Sequence, residues 1–197
     1  MSSTTCAHGP SHDQRRPGTG VTVTGWLVAL CCVGFAAVNI AFEFTGRFTE
    51  GPYAEYAAGL TVVNWFVVAL KVLGAAVALL SVTTRPGPRP PTVLAVLLWG
   101  AFATLGVYAL GSVVQALGMV SGLTGGADQV DAAALSYLLF FLVFAAGYGA
   151  LALSHSRRHR TRPGPAVLGV LGAPVVLALI LLVAPALLAC AGLMPTP

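Results

Sequence analysis

The chain alternates between long apolar segments and short polar ones. Four segments carry no Asp, Glu, Lys or Arg: 17–42, 90–127, 132–156 and 163–197. A fifth apolar segment, 56–84, is interrupted only by Lys71. Each of the five contains the roughly 20 apolar residues that a helix needs to cross about 30 Å of hydrocarbon. The pattern predicts an all-α fold, an integral membrane bundle of five transmembrane helices.

Polar and helix-breaking residues set the limits of these helices. Prolines in the segment 85–91 remove backbone donors and force extended geometry, so no helix continues through it. Asp131 is suited to cap the fourth helix after a glycine-rich loop, 121–129. The predicted helices are Thr22–Phe44, Leu60–Thr83, Thr92–Val120, Ala132–Leu153 and Ala166–Gly192.

The predicted organisation is a four-helix core followed by one added helix. A disordered cytoplasmic tail (1–20) precedes the transmembrane core (21–155). A basic cytoplasmic loop (156–165) then leads to the fifth helix and a short outer tail (166–197). Helix five carries Pro174 and Pro185 with no strongly polar residue between them, which favours contact with lipid on several sides.

Composition excludes several classes of protein. The 197 residues are 57% hydrophobic and 8% charged, whereas about a quarter of the residues in soluble domains are charged. A soluble enzyme, a nucleic-acid binder and a disordered chain are therefore excluded. The loops are too short for a folded soluble domain, and we expect no cofactor, no metal site and no nucleic-acid partner. The expected partners are the lipid bilayer itself and an apolar small molecule or another membrane protein.

Charge placement predicts the orientation. Eight arginines lie in three segments that share one side of the predicted membrane: Arg15, Arg16, Arg85, Arg89, Arg157, Arg158, Arg160 and Arg162. By the positive-inside bias this side is cytoplasmic, which leaves the C-terminus outside. Richness in Ala, Val, Gly, Pro and Arg is typical of high-G+C bacteria and indicates a bacterial plasma membrane. Cys31 and Cys32 lie at the opposite depth from Cys190, so we expect no disulfide.

Two stretches carry a resemblance to known membrane proteins. Leu97–Gly118, followed by Leu135–Leu153, resembles the later half of a small membrane-protein family of high-G+C Gram-positive bacteria, a domain of unknown function. Ala69–Leu80 is loosely similar to the second helix of DoxX-like four-helix proteins. The resemblance implies a four-helix core and transfers no catalytic residue, and the fifth helix departs from both families.

Polar residues inside the spans are the candidates for function, because each is costly in hydrocarbon. Lys71 follows Leu60 by eleven residues, which places it about 16 Å from the outer boundary, near the midplane. On helix one, Asn39 and Glu43 lie one turn apart near the outer end. A pair of Lys71 with Glu43, direct or through Asn39 or water, is feasible because the two side chains lean toward each other.

Other polar residues fall in the same outer half. The candidate ligand-binding residues are Asn39, Asn64, Lys71, Tyr108, Gln115 and Tyr137. They admit three interpretations: a structural network between helices, a ligand or catalytic pocket, or a lysine that faces a partner subunit. His155 and His159 are interpreted as part of a basic cytoplasmic patch that attracts anionic headgroups.

Two functional classes follow from these residues. The first is a non-enzymatic helical bundle that binds or organises lipid or a membrane partner. The alternative is a small membrane enzyme, a proton-initiated isomerase or cyclase of an isoprenoid or other apolar substrate. That chemistry needs a carboxylic acid in a dry pocket with aromatic faces nearby. Glu43 would be its catalytic acid, with Tyr108 and Tyr137 beside it.

Overall fold

In the computed structural model of this chain, the described residues are 16–49, 54–83, 90–123 and 132–192. They form five long helices: α1 (Thr19–Phe44), α2 (Ala57–Val82), α3 (Pro91–Val120), α4 (Ala132–His159) and α5 (Pro163–Cys190). A short 3-10 turn, Ala54–Tyr56, leads into α2. Every helix is long and apolar enough to cross a membrane. The prediction of an all-α membrane bundle is confirmed.

Four helix ends differ from the predicted limits by three residues or more. The first, second and fifth helices begin three residues earlier than expected, at Thr19, Ala57 and Pro163. Pro163 occupies the first turn of α5, where a missing N–H leaves no hydrogen bond unmade. α4 continues to His159, into the predicted loop, because Arg157 and Arg158 in its last turn complement the helix dipole.

Some predictions concern parts of the chain that the structure leaves undescribed. They are those for the tail up to residue 15, the proline-rich loop 84–89, the glycine-rich segment 124–130 with Asp131, and the tail 193–197.

The helices pack as two hairpins and one added helix. α1 packs against α2, and α3 packs against α4. α1 and α4 join the two hairpins, with fewer contacts from α2 to α3 and α4. We call the half of the bundle that holds the end of α4 the basic half, because Arg157 and Arg158 lie there. The other half is the opposite half.

The hydrophobic core lies mainly in the basic half. Its buried residues are Val28, Ala29, Cys32, Ala75, Val77, Ala78, Val82, Leu98, Phe144, Tyr148, Leu151 and Ala152. Among the described side chains, none after Ala109 in α3 and none before Phe144 in α4 is buried. The ends of α3 and α4 in the opposite half are therefore packed less tightly than the rest of the bundle.

Glycines permit the close approach of helices in the basic half. A Cβ atom on Gly25 would lie 2.6 Å from Val82 Cγ1, and one on Gly147 would lie 2.8 Å from Val28 Cγ2. Side chains at these positions would force α1 away from α2 and α4. No hydrophobic driving force acts between helices in lipid, so the helices associate through the close van der Waals packing that these small residues allow.

The fifth helix packs chiefly against α3. Only 6% of the most apolar part of α5 is buried, compared with 28% for α1. Gly169 of α5 lies directly against the backbone of α3 at Val96 and Gly100. Most of the large apolar side chains of α5, such as Leu168, Leu171 and Leu179, are exposed, as expected of a helix that faces lipid on several sides.

Candidate functional site

A cavity of about 200 Å³ lies between α3 and α4 in the opposite half of the bundle. Its lining is Tyr108, Ser112, Gln115, Ala116, Met119, Ala134, Leu135, Tyr137, Leu138 and Phe141. Polar side chains that are one helical turn apart on α3 face apolar and aromatic side chains of α4. Apolar walls with a few converging polar groups are typical of a small-molecule site.

The two tyrosines of this cavity are largely exposed. Tyr108 is 56% exposed and Tyr137 is 62% exposed, so the cavity opens to the surroundings of the bundle. The Tyr108 ring packs edge-on against Phe141, with the ring centres 4.5 Å apart. Ser112 donates its hydroxyl hydrogen to the carbonyl of Tyr108 at 3.0 Å, which leaves its lone pairs available as acceptors. The cavity can therefore accept a molecule with a hydroxyl or carbonyl group and an apolar body.

Glu43 does not line this cavity, because it is held between α1 and α2. Its carboxylate accepts hydrogen bonds from Thr61 Oγ1 at 2.9 Å and from Asn64 Nδ2 at 3.3 Å. The same Asn64 amide donates to the backbone carbonyl of Asn39 at 2.9 Å. Asn39 in turn donates to the carbonyl of Phe35 at 3.0 Å. This network joins the two helices, and each interhelical bond contributes about 0.6 kcal/mol in a membrane protein.

Lys71 lies apart from both groups. It is the fifteenth of the 26 residues of α2, near the middle of the helix. Its Nζ lies 5.3 Å from the ring centre of Phe35 in α1 and 5.9 Å from that of Phe144 in α4. These distances are those of cation–π contacts. The lysine therefore points between α1 and α4, toward the interior of the bundle.

The direct pair of Lys71 with Glu43 is not formed. Within the described part of the chain, no hydrogen bond or ion pair reaches Lys71 Nζ, and Glu43 is bound by Thr61 and Asn64. The physical reason is competition: donors on the first turns of α2 lie beside Glu43, whereas Lys71 is two to three turns deeper. Thr61 was missed by sequence reasoning, although its spacing of three from Asn64 places the two on one helical face.

The predicted site residues thus fall into three groups. Tyr108, Gln115 and Tyr137 line one cavity, Asn39, Asn64 and Glu43 form one network, and Lys71 is separate from both. The arrangement required for a proton-initiated isomerase, with Glu43 beside the two tyrosines, is not formed by the described residues. A catalytic role for Glu43 stays a prediction.

A buried contact between Cys32 of α1 and Tyr148 of α4 was not predicted from the sequence. Cys32 Sγ and Tyr148 Oη lie 3.3 Å apart, and both residues are only 2% exposed. A Cβ atom on Gly74 would lie 2.7 Å from Tyr148 Oη, so the glycine makes room for this contact. A glycine one turn from the intramembrane lysine is the signal that could have indicated it.

The basic half contains a second polar cluster, which corrects one interpretation. His155 is buried, at 3% exposure, and its Nε2 lies 3.0 Å from the carbonyl of Pro91. Arg158 donates to the carbonyl of Ser81, and Trp99 Nε1 donates to Ser156 Oγ at 3.1 Å. His155 is therefore a packing residue that ties α4 to α3 and does not belong to the predicted headgroup patch. Arg157, His159 and Arg160 are exposed, and their attraction to headgroups stays a prediction.

Comparisons with protein-family models, with curated proteins and with solved structures gave no match for this chain. The resemblance to small four-helix membrane families stays a prediction. The chain is a multi-pass membrane protein by the length and hydropathy of its five helices.

Proposed function

We propose that this protein is a non-enzymatic membrane bundle that binds a lipid-like molecule between α3 and α4. The observation that carries the proposal is the cavity lined by Tyr108, Ser112, Gln115 and Tyr137. Its hydroxyl and amide groups suit the polar end of a single-chain lipid, and Phe141 with Leu138 suits the chain.

The packing of the bundle supports this assignment. No described side chain after Ala109 in α3 or before Phe144 in α4 is buried, so a ligand can enter between these helix ends without breaking a packed core. Ligand entry into a well-packed interior would cost far more free energy than entry between these loosely packed helix ends, because packed side chains would have to separate. The ligand can approach from the lipid phase, because Tyr108 and Tyr137 are exposed.

The position of Glu43 favours binding over catalysis. Proton-initiated chemistry needs an acid within hydrogen-bond reach of its substrate. Glu43 is absent from the cavity lining, and Thr61 and Asn64 occupy its oxygens. These hydrogen bonds give the Glu43 carboxylate a structural role as a link between α1 and α2.

Filling the cavity should prevent binding. We expect Ala116→Trp to reduce capture of a photoreactive hexadecanol that carries a diazirine and an alkyne by about tenfold, because the indole occupies the space between α3 and α4. Capture is measured on the purified full chain in detergent, and the labelled peptides are identified by mass spectrometry. In the wild-type chain the label should fall on peptides that contain Tyr108 or Tyr137.

Leu117→Trp is the matched control for this experiment. Leu117 is the neighbour of Ala116 on α3, is 62% exposed and does not line the cavity. It introduces the same side chain and should leave capture unchanged. Label spread evenly over all five helices, or equal capture by the wild type and Ala116→Trp, would contradict lipid binding in this cavity.

We also propose that the basic half faces the cytoplasm of a bacterial plasma membrane. The support is the distribution of arginine along the sequence: eight are in the three segments that flank the helix ends of the basic half, and one, Arg47, follows the opposite end of α1. A single cysteine added after Pro197, with Cys6, Cys31, Cys32 and Cys190 replaced by Ala, should react with an impermeant maleimide in intact cells. Labelling that appears only after the membrane is opened would reverse the orientation.

A further inference from the structure

A buried histidine lies near the basic end of α4. His155 is only 3% exposed. It precedes the end of the helix at His159 by four residues, which is about 6 Å along the helix axis. The ring is therefore buried close to the end of its span, where the water phase is near. Histidine is the side chain whose charge normally changes between pH 5 and 8, so the packing of this ring can depend on pH.

The hydrogen bonds of His155 fit a neutral ring. Nε2 lies 3.0 Å from the carbonyl oxygen of Pro91 at the beginning of α3. A carbonyl oxygen only accepts, so Nε2 carries the hydrogen and Nδ1 has a lone pair. Nδ1 is buried, and no group in the described part of the chain forms a hydrogen bond with it. A proton on Nδ1 would create a buried N–H donor without an acceptor, which costs free energy.

The charged neighbours of His155 also oppose a positive ring. Arg158 lies one turn further along α4, and the ring centre of His159 lies 4.4 Å from that of His155. These two are the titratable side chains that act on the ring. Arg158 is held beside it by a hydrogen bond to the carbonyl of Ser81 in α2. A proton on His155 would therefore add a positive charge next to an existing one.

No carboxylate compensates for such a charge. The acidic residues among those described are Glu43 and Glu55, which lie at the ends of α1 and α2 in the opposite half. A protonated His155 ring thus gains neither an acceptor nor a counter-ion in its buried position. It gains both N–H partners when it moves into water.

We propose that His155 is a pH-sensitive latch, which holds the last turns of α4 against α3 while its ring is neutral and releases them when the ring takes up a proton. The proton comes from the water phase and forms a new N–H bond at Nδ1. The contact of Arg158 with Ser81 lies on the same turn of α4 and is lost with the latch. With the orientation proposed above, the latch responds to acidification of the cytoplasm. It is independent of lipid binding, which is proposed for the opposite half.

Hydrogen exchange of the full wild-type chain in detergent tests the latch at about pH 8 and about pH 5.5, on either side of the usual titration of histidine. Each protection factor is the intrinsic exchange rate at that pH divided by the measured rate. An exposed histidine is half protonated at about pH 6.5, so one pH unit below that value protonation favours the released form about tenfold. Protection of the amides 152–159 of α4 should therefore fall about tenfold.

The internal control is the segment 103–110 of α3, which contains no residue that titrates in this pH range. Its protection should not change. Constant protection of 152–159 would overturn the inference. An equal fall in both segments would overturn it as well, because it would indicate general loosening of the bundle.

Two variants assign the response to one histidine. His155→Gln cannot be protonated, and its amide nitrogen can still donate to the Pro91 carbonyl, so protection of 152–159 should no longer depend on pH. His159→Gln is the matched control, because it removes the neighbouring exposed ring, and it should keep the fall. A fall of full size in His155→Gln, or its loss in His159→Gln, would contradict a latch at His155. The wild type and His159→Gln decide the question even if His155→Gln does not fold.

Discussion

Gly169→Ala should weaken the attachment of α5 to α3 and lower the thermal stability of the protein. A Cβ atom at this position would lie 2.5 Å from the carbonyl oxygen of Val96 and 3.0 Å from the backbone nitrogen of Gly100. These are backbone atoms, which cannot rotate away, so the two helices have to separate. We expect a loss of about 1–3 kcal/mol, the cost of overpacking, measured by thermal unfolding in detergent. The rate of hydrogen exchange of the α5 amides should also increase in this variant.

Gly172→Ala is the matched control in the same helix. The nearest atom to a Cβ there is Cδ1 of Leu168, at 3.9 Å, which is an ordinary contact. Alanine is also the better helix former, by about 1 kcal/mol, so stability should stay the same or increase. Equal losses of stability in Gly169→Ala and Gly172→Ala would mean that the clash where α3 and α5 cross is not the cause of the destabilisation.

Gly74→Ala should produce the second large loss of stability. The added Cβ atom would lie 2.7 Å from Tyr148 Oη and 3.2 Å from Cys32 Sγ. Both partners are buried, so the ring of Tyr148 has to move and its contact with Cys32 is lost. We expect a cost of about 1–3 kcal/mol, measured by thermal unfolding of the purified protein.

A double variant identifies the clashing atom. In the Tyr148→Phe background the hydroxyl is absent, and the nearest remaining ring atom, Cζ, is 3.8 Å from the added Cβ. Gly74→Ala should then cost much less than in the wild type, a non-additivity typical of residues in contact. Gly34→Ala, with no atom within 4 Å of its Cβ, serves as the control. Additive losses at Gly74 and Tyr148 would refute the packing described here.

The candidate site was only partly predictable. Counting along the helices placed Tyr108, Gln115 and Tyr137 at similar depth, and the structure brings them to one cavity. The same counting placed Glu43 in that half as well, yet its oxygens bind Thr61 and Asn64. Depth follows from a rise of about 1.5 Å per residue, whereas the neighbour of a side chain depends on how each helix is rotated.

Lys71 shows the same division between depth and neighbours. Its position near the middle of a span is a property of the sequence alone. Its surroundings, the rings of Phe35 and Phe144, come from two other helices. The sequence offered a partner of opposite charge, Glu43. However, α1 and α2 pack in a register that places the Glu43 carboxylate beside hydrogen-bond donors at the beginning of α2.

The number of helices, their approximate limits and the membrane as their solvent follow from the local pattern of residues. These are local properties, because a run of about 20 apolar residues must satisfy its backbone hydrogen bonds within itself when it crosses lipid. Which helix faces meet depends on the packing of segments that are distant in the chain. Any face of an apolar helix can contact lipid, so lipid does not fix the rotation of a helix about its axis. That rotation is set by close contacts between distant segments, such as Gly74 against Tyr148 and Gly169 against Val96.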